Sequence, residues 1–151
     1  MLAGAGRAMN RLYENRNHDI KSNGELTILK KLAAFNPQVI IDGGANIGDY
    51  SQWAARLVKN CRIYSFEPVK NTFDLMTSNL KDWQNIIPVN KGFYSENCIR
   101  KINLFPSHTH SSLYDIEGLS YHPVNTTDIE LITGDSFLEK QGIVRVFLGD
   151  V

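Results

Sequence analysis

The sequence predicts an α/β fold, a parallel sheet with helices on both faces, and three observations carry that expectation. Val39-Ile40-Ile41-Asp42 is a short β-branched run that enters a glycine-bearing turn, Gly43-Gly44-Ala45-Asn46, and a helix-like pattern begins at Ile47. A buried strand, a tight loop and a helix start thus follow one another directly. The alternation then repeats: Arg62–Phe66 is a second apolar run, Val69, Phe73, Met76 and Leu80 recur at helical spacing, and Ile86–Val89 is a third run. The order β-α-β-α-β is the pattern of a parallel sheet with right-handed crossovers. Finally, Ile99–Phe105 and Asp128–Thr133 alternate apolar with polar residues, which marks an antiparallel excursion between residues 99 and 133.

Each element has a local reason. Residues 1–21 have weak periodicity and scattered charge and read as an arm or a peripheral helix; residues 22–151 read as the domain. Ser22-Asn23-Gly24-Glu25 fits a capping box with Ser22 as N-cap. Leu26, Leu29, Leu32 and Ala33 then put an apolar stripe on a helix over about 24–35, which Asn36-Pro37 stops. The helix after the glycine loop runs to about Lys59 with Ile47, Ser51, Ala54 and Val58 on one face. Pro68 suits the first turn of the next helix. Pro88 places the third strand at a sheet edge, because proline has no N–H to give a ladder. His108–Tyr114 and Gly118–Asn125 read as loops, Gly134-Asp135-Ser136 as the start of a helical turn through Lys140, and Ile143–Leu148 as a last strand.

Composition narrows the function. A chain of 151 residues with 42% hydrophobic content fits one domain with a core. Sixteen basic and sixteen acidic side chains cancel, so no broad field points to nucleic acid or to an anionic membrane. Cys61 and Cys98 stand far apart and imply neither a disulfide framework nor a zinc site. A reducing, cytoplasmic setting is the expectation, with no membrane partner. The first residues lack the apolar stretch of a signal peptide.

The loop at residues 43–48 fits two ligand classes. Dinucleotides use Gly-x-Gly-x-x-Gly with an acid about 20 residues on for the ribose. Gly43-Gly44-Ala45-Asn46-Ile47-Gly48 matches this imperfectly, and Glu67 lies 19 residues past Gly48, at the end of strand two. S-adenosylmethionine also has a ribose but carries an ammonium and a sulfonium in place of a pyrophosphate. Asp42, at the tip of strand one, separates the two by charge. A carboxylate there repels a pyrophosphate and attracts a cation, a term on the order of 1–4 kcal/mol at about 4 Å. The sign favours S-adenosylmethionine; an NAD(P)-dependent oxidoreductase is the alternative.

Asp42-Gly43-Gly44-Ala45-Asn46-Ile47-Gly48-Asp49-Tyr50-Ser51 resembles the first motif of the FkbM-type methyltransferases, a class I S-adenosylmethionine-dependent family. Phe66-Glu67-Pro68 resembles the family's second motif, and Asn90-Lys91-Gly92, Ser112-Leu113 and Gly134–Leu138 resemble weaker signals in the family's order. Phe147-Leu148-Gly149-Asp150-Val151 resembles the opening of its strand-four motif. Leu148 replaces a usual lysine, and Gly134 and Gly149 replace usual apolar residues, where glycine would weaken a strand.

The resemblance implies a Rossmann-like sheet of the class I methyltransferase type, incomplete on its C-terminal side because the motif breaks off at Val151. It implies S-adenosylmethionine as cofactor and O-methylation of a sugar or other small metabolite hydroxyl. Asp42, Gly43, Gly44, Ala45, Asn46, Gly48, Glu67, Pro68, Asn90 and Phe93 are the expected cofactor residues. Glu67 is expected on the two ribose hydroxyls, and Phe93 is the better stacking candidate than Trp53 or Trp83, which read as packing aromatics. Asp150, near the transferred methyl by resemblance, and His110, as a base beside Ser111-Ser112, are the catalytic candidates. His108 and His110 have no further ligands at metal spacing, so no metal is expected. A chain ending at Val151 would leave strand four as an open edge prone to self-association, and a non-catalytic cofactor-binding remnant is the other alternative.

Overall fold

The protein is described by a computed structural model, which covers residues 20–104 and 125–143. His108, His110, Ser112-Leu113, Asp150, the strand expected over 143–148 beyond Ile143, and all of the N-terminal arm up to residue 19 lie outside the described residues.

The described chain is α/β, with four helices and two three-stranded sheets. In order, the elements are α1 (Glu25–Ala34), β1 (Val39–Gly43), α2 (Asp49–Leu57), β2 (Arg62–Phe66), α3 (Lys70–Leu80), β3 (Ile86–Val89), β4 (Gly92–Phe93), β5 (Cys98–Leu104), β6 (Asn125–Ile132) and α4 (Gly134–Gln141). The first sheet runs β1-β2-β3, all parallel, with Asp42 opposite Ser65 and Ser65 opposite Pro88. Pro88 is therefore on an edge strand, as its missing N–H requires. The second sheet runs β4-β6-β5, with β5 antiparallel to β6 and β4 parallel to it.

Period-two alternation sorts the side chains of the parallel sheet. Ile40, Ile63 and Ile86 face one cluster, packed by Leu29 of α1, Ala54 and Ala55 of α2, and Met76 and Leu80 of α3. Val39, Ile41, Tyr64, Phe66 and Val89 face a second cluster with Phe137 and Leu138 of α4. Helices thus cover both faces. Phe66 is the centre of the second cluster, its ring 4.3 Å from Phe93 and 4.8 Å from Phe137. A third cluster, Val69 with Ile102, Ile129 and Leu131, ties the second sheet to the start of α3. Among the described residues no helix is long and apolar enough to cross a membrane. Both cysteines are free thiols, and burial pushes Cys61 up to about 11.

Several local expectations need correction. The N-cap of α1 is Gly24 rather than Ser22. Its φ of 96° is left-handed, and the Glu25 N–H is taken by Asn23 Oδ1 at 3.0 Å, so the capping box does not form. The chain enters α2 two residues later than Ile47, because Gly48 is a left-handed N-cap with φ 93°. Pro68 precedes the N-cap Val69 instead of occupying the first turn of α3. Asn125 opens β6 rather than closing a loop. Gly134 is the first residue of α4, capped by Thr133 Oγ1 accepting from the Ser136 N–H, so it weakens no strand. Ile20, in the segment read as an arm or a peripheral helix, is buried in the first cluster, and its carbonyl accepts from the Leu26 N–H.

Gly48 is fixed by two constraints at once. Its left-handed φ suits glycine, and a Cβ there would stand 2.9–3.0 Å from three carbon atoms of the Leu80 side chain. Gly48→Ala should therefore destabilise the fold by about 1–3 kcal/mol, combining left-handed strain with overpacking. Denaturant unfolding checks this; an unchanged midpoint would mean that the loop is not seated on Leu80.

Candidate functional site

The parallel strands β1 and β2 end side by side, and their tips carry Asp42 and Glu67. Between them lies the loop from Gly43 to Gly48. Gly44 has a φ of 80°, and Asn46, at 50°, is a non-glycine residue in the left-handed region. This geometry turns the loop's amides inward. The Gly44 and Ala45 N–H groups both donate to the Phe66 carbonyl, at 3.0 and 2.8 Å. Asn46 N–H donates to Glu67 Oε2 at 3.2 Å, and Gly48 N–H donates to the Ala45 carbonyl at 2.8 Å. These four amides are consumed inside the protein.

Glu67 has only 7% of its surface exposed. Its carboxylate joins two elements: Oε2 takes the Asn46 N–H, and Oε1 takes the Val69 N–H at 2.9 Å. Burial raises its pKa, and the Val69 and Asn46 amides pull against that rise. Asn90 braces the same corner, its Nδ2 donating to the Glu67 and Pro68 carbonyls at 2.8 and 3.1 Å. Phe93, on β4, lies beside Gly43: a Cβ on that glycine would be 3.4 Å from its ring. Pro68 is packed against Gly92. The structure thus brings together Asp42, the loop 43–48, Glu67, Pro68, Asn90 and Phe93.

Asp42 is half-buried, and Ser51 Oγ donates to its Oδ2 at 2.6 Å. Burial raises its pKa, the Ser51 bond lowers it, and the nearby charge of Glu25 raises it. Ser51 is in turn 2.6 Å from Ser65 Oγ, and both serines are fully buried. Ser65 was not singled out by sequence reading. The signal was its parity: two residues beyond Ile63, it must share a face with the Ile63 side of β2. Asn46 Oδ1 is buried without a hydrogen-bond partner among the described residues.

Trp53 and Trp83 are not at this corner's recognition atoms; they pack on the first cluster and flank the Arg56 guanidinium at 5.1 and 5.4 Å from their centroids. A cavity of about 790 Å³ opens elsewhere, between β2–β3, the second sheet and α4, lined by Tyr64, Ile87, Phe137 and Lys140 among others. None of the expected cofactor residues lines it. Arg62, Lys91, Glu130 and Lys140 also stand around its walls, but its residues share no hydrogen bond with the glycine loop, so the strand tips, where the loop, Asp42 and Glu67 meet, carry the candidate site.

No protein-family model matches the sequence, and no curated protein matches it either.

The two bonds of Glu67 yield a direct test. In Glu67→Gln one of the two amides, Asn46 or Val69, would face an NH2 group and lose its acceptor. The loss should be about 1–3 kcal/mol of stability, the cost of a buried unsatisfied donor. Hydrogen exchange should report it as faster exchange at Asn46 or Val69. Unchanged protection at both amides would show that the carboxylate does not hold the loop.

Proposed function

We propose that the chain binds S-adenosylmethionine at the tips of β1 and β2 and belongs to a Rossmann-like methyltransferase of the FkbM type, acting on a hydroxyl of a sugar or other small metabolite. The observation that carries this reading is the balance of donors and acceptors. Around the loop, the amides of Gly44, Ala45, Asn46 and Gly48 are already spent on the Phe66 carbonyl, Glu67 and the Ala45 carbonyl. The side-chain groups left at the tips are acceptors: Asp42 Oδ1, which has no partner among the described residues, the spare lone pairs of Glu67, and Asn46 Oδ1, also without a partner among them. The uncommitted donors are the first-turn amides of α2, beyond Gly48. A ligand seated on the side chains must bring donors.

S-adenosylmethionine brings an ammonium and a ribose diol. A pyrophosphate brings only acceptors and negative charge, and it would meet Asp42, Glu67 and the exposed Asp49 in the first turn of α2. For the dinucleotide alternative the amides of Gly44, Ala45, Asn46 and Gly48 are already bonded, which leaves the first-turn amides of α2 beside the Asp49 carboxylate as the only cradle for a phosphate at this loop. In this reading Asp42 takes the ammonium, Glu67 takes the ribose hydroxyls, and Phe93 lines the adenine side. When bound, the cofactor supplies an electrophilic methyl, and the protein's task is alignment with the acceptor hydroxyl. Asp150 stays as a candidate for the acceptor side by resemblance, and His110 by its place in the sequence beside Ser111-Ser112. A cytoplasmic setting accords with this substrate class.

Calorimetry of the chain with S-adenosylhomocysteine and with NAD checks the reading: saturable binding of the first and none of the second is expected. Asp42→Asn sharpens it. Its folded-state pKa is raised above the unfolded value, so the ionised carboxylate costs stability at neutral pH, a cost that grows as pH rises through the folded pKa. The amide variant should thus be at least as stable as the parent at pH 7. It should nevertheless bind S-adenosylhomocysteine about tenfold or more weakly, from a lost charge term on the order of 1–4 kcal/mol. Undiminished affinity, or binding of NAD in its place, would remove the ammonium from this site.

A further inference from the structure

Three side chains from three elements meet at the end of the α1–α3 face of the parallel sheet. Asp42 on β1 and Ser65 on β2 are direct partners in the ladder, so their side chains leave the sheet on the same side. Ser51 comes down from the buried face of α2 and stands 2.6 Å from Asp42 Oδ2 and 2.6 Å from Ser65 Oγ. Neither serine has exposed surface.

Proton counting fixes the direction of this chain. An ionised carboxylate only accepts, and a serine hydroxyl has one proton. Ser51 therefore spends its proton on Asp42 and must accept from Ser65. The order is Ser65 to Ser51 to Asp42, and no other arrangement satisfies all three groups. Placing two hydroxyls in a dry core is unfavourable unless each is bonded, and an alanine at either position would leave the hydrophobic contacts intact. What the pair adds is a constraint on Asp42: Oδ2 is tied down, and Oδ1 has no partner among the described residues.

We propose that Ser51 and Ser65 are positioning residues that lock the Asp42 carboxylate in one orientation, so that Oδ1 is presented to the ammonium of an amino-acid-bearing ligand. The inference rests on the reading of this corner as an S-adenosylmethionine site. It also sets how Asp42 titrates. From α1, Glu25 opposes ionisation; from α2, Tyr50, itself raised by burial and by Asp42, is the neighbouring titratable group; the Ser51 hydroxyl is the group that favours ionisation. Removing it leaves burial and Glu25 unopposed.

The test uses two ligands that differ at the relevant group: S-adenosylhomocysteine, which carries the ammonium, and 5′-methylthioadenosine, which lacks the amino-acid end. Ser51→Ala should lower affinity for the first by about tenfold, the scale of one charge-assisted contact, and leave the second unchanged. The acid limb of S-adenosylhomocysteine binding should move to higher pH, and the Asp42 carboxyl carbon, followed by NMR, should titrate at higher pH in the same variant. Ser65→Ala keeps the Ser51–Asp42 bond and should shift both readouts in the same direction by less. It also serves if Ser51→Ala does not fold. Equal loss for both ligands, or an unmoved Asp42 titration in Ser51→Ala and Ser65→Ala alike, would reduce the serines to packing and overturn the inference. A parent chain that binds neither ligand would overturn the cofactor reading itself.

Discussion

The buried carboxylate of Glu67 is the contact on which the candidate site depends. It lies one residue past β2, yet its two oxygens hold the Asn46 amide from the loop after β1 and the Val69 amide at the start of α3. Neighbouring strands would bring these segments close in any parallel sheet. Only an acceptor with two oxygens fixes them to each other. Desolvation opposes the ionised form and the two amides favour it, so the group sits in balance between an isolated buried acid and a fully satisfied one. The carbonyl of Phe66, one residue earlier, completes the fastening by accepting from both Gly44 and Ala45. The Gly44–Asn46 segment is thereby stapled to the tip of β2 rather than held open.

That fastening decides the chemistry of the corner. A glycine loop at a strand tip is often an anion cradle because its amides point outward. Here the Gly44, Ala45 and Asn46 amides point to the tip of β2, and in the proposed reading the carboxyl groups of Asp42 and Glu67 receive a donor-bearing ligand in their place. The same logic explains why the left-handed Asn46 sits in the middle of the loop: the turn that aims its N–H at Glu67 needs a positive φ, which asparagine tolerates better than most side chains. Its own Oδ1 is then left buried without a partner among the described residues, a polar demand that a ligand donor would meet.

Much of the fold was legible because its signals are local. Arg62–Phe66 and Ile86–Val89 emerge as strands with the bounds read from their apolar runs, and Val69, Phe73, Met76 and Leu80 line the inner face of α3 or lead into it. Pro88 announced an edge, and β3 is one. Asn36, left-handed just past α1, ends that helix where Asn-Pro said it would. The misses are of two kinds. Gly24 and Gly48 adopt left-handed φ values that displace helix starts by one or two residues, which sequence pattern does not encode. β4 is two residues long, too short for any periodicity, and is defined by its pairing with β6, with the Phe93 ring packed on Phe66. The site was legible as a list, Asp42, the glycine loop and Glu67. Its wiring was not, because most of the bonds that build it link segments far apart in the sequence: Phe66 to Gly44, Glu67 to Asn46, Ser65 to Ser51.

Amide NMR of the chain titrated with S-adenosylhomocysteine tests whether a donor-bearing cofactor sits on the acceptors at the tips of β1 and β2, since each amide of the loop reports separately. Saturable shifts concentrated at Gly43–Gly48, Glu67, Val69 and Phe93 are expected, with the Asn46 amide kept in its bond to Glu67. Shifts confined to Tyr64, Ile87, Phe137 and Lys140 around the cavity beside α4, or no saturable shift at all, would contradict that placement.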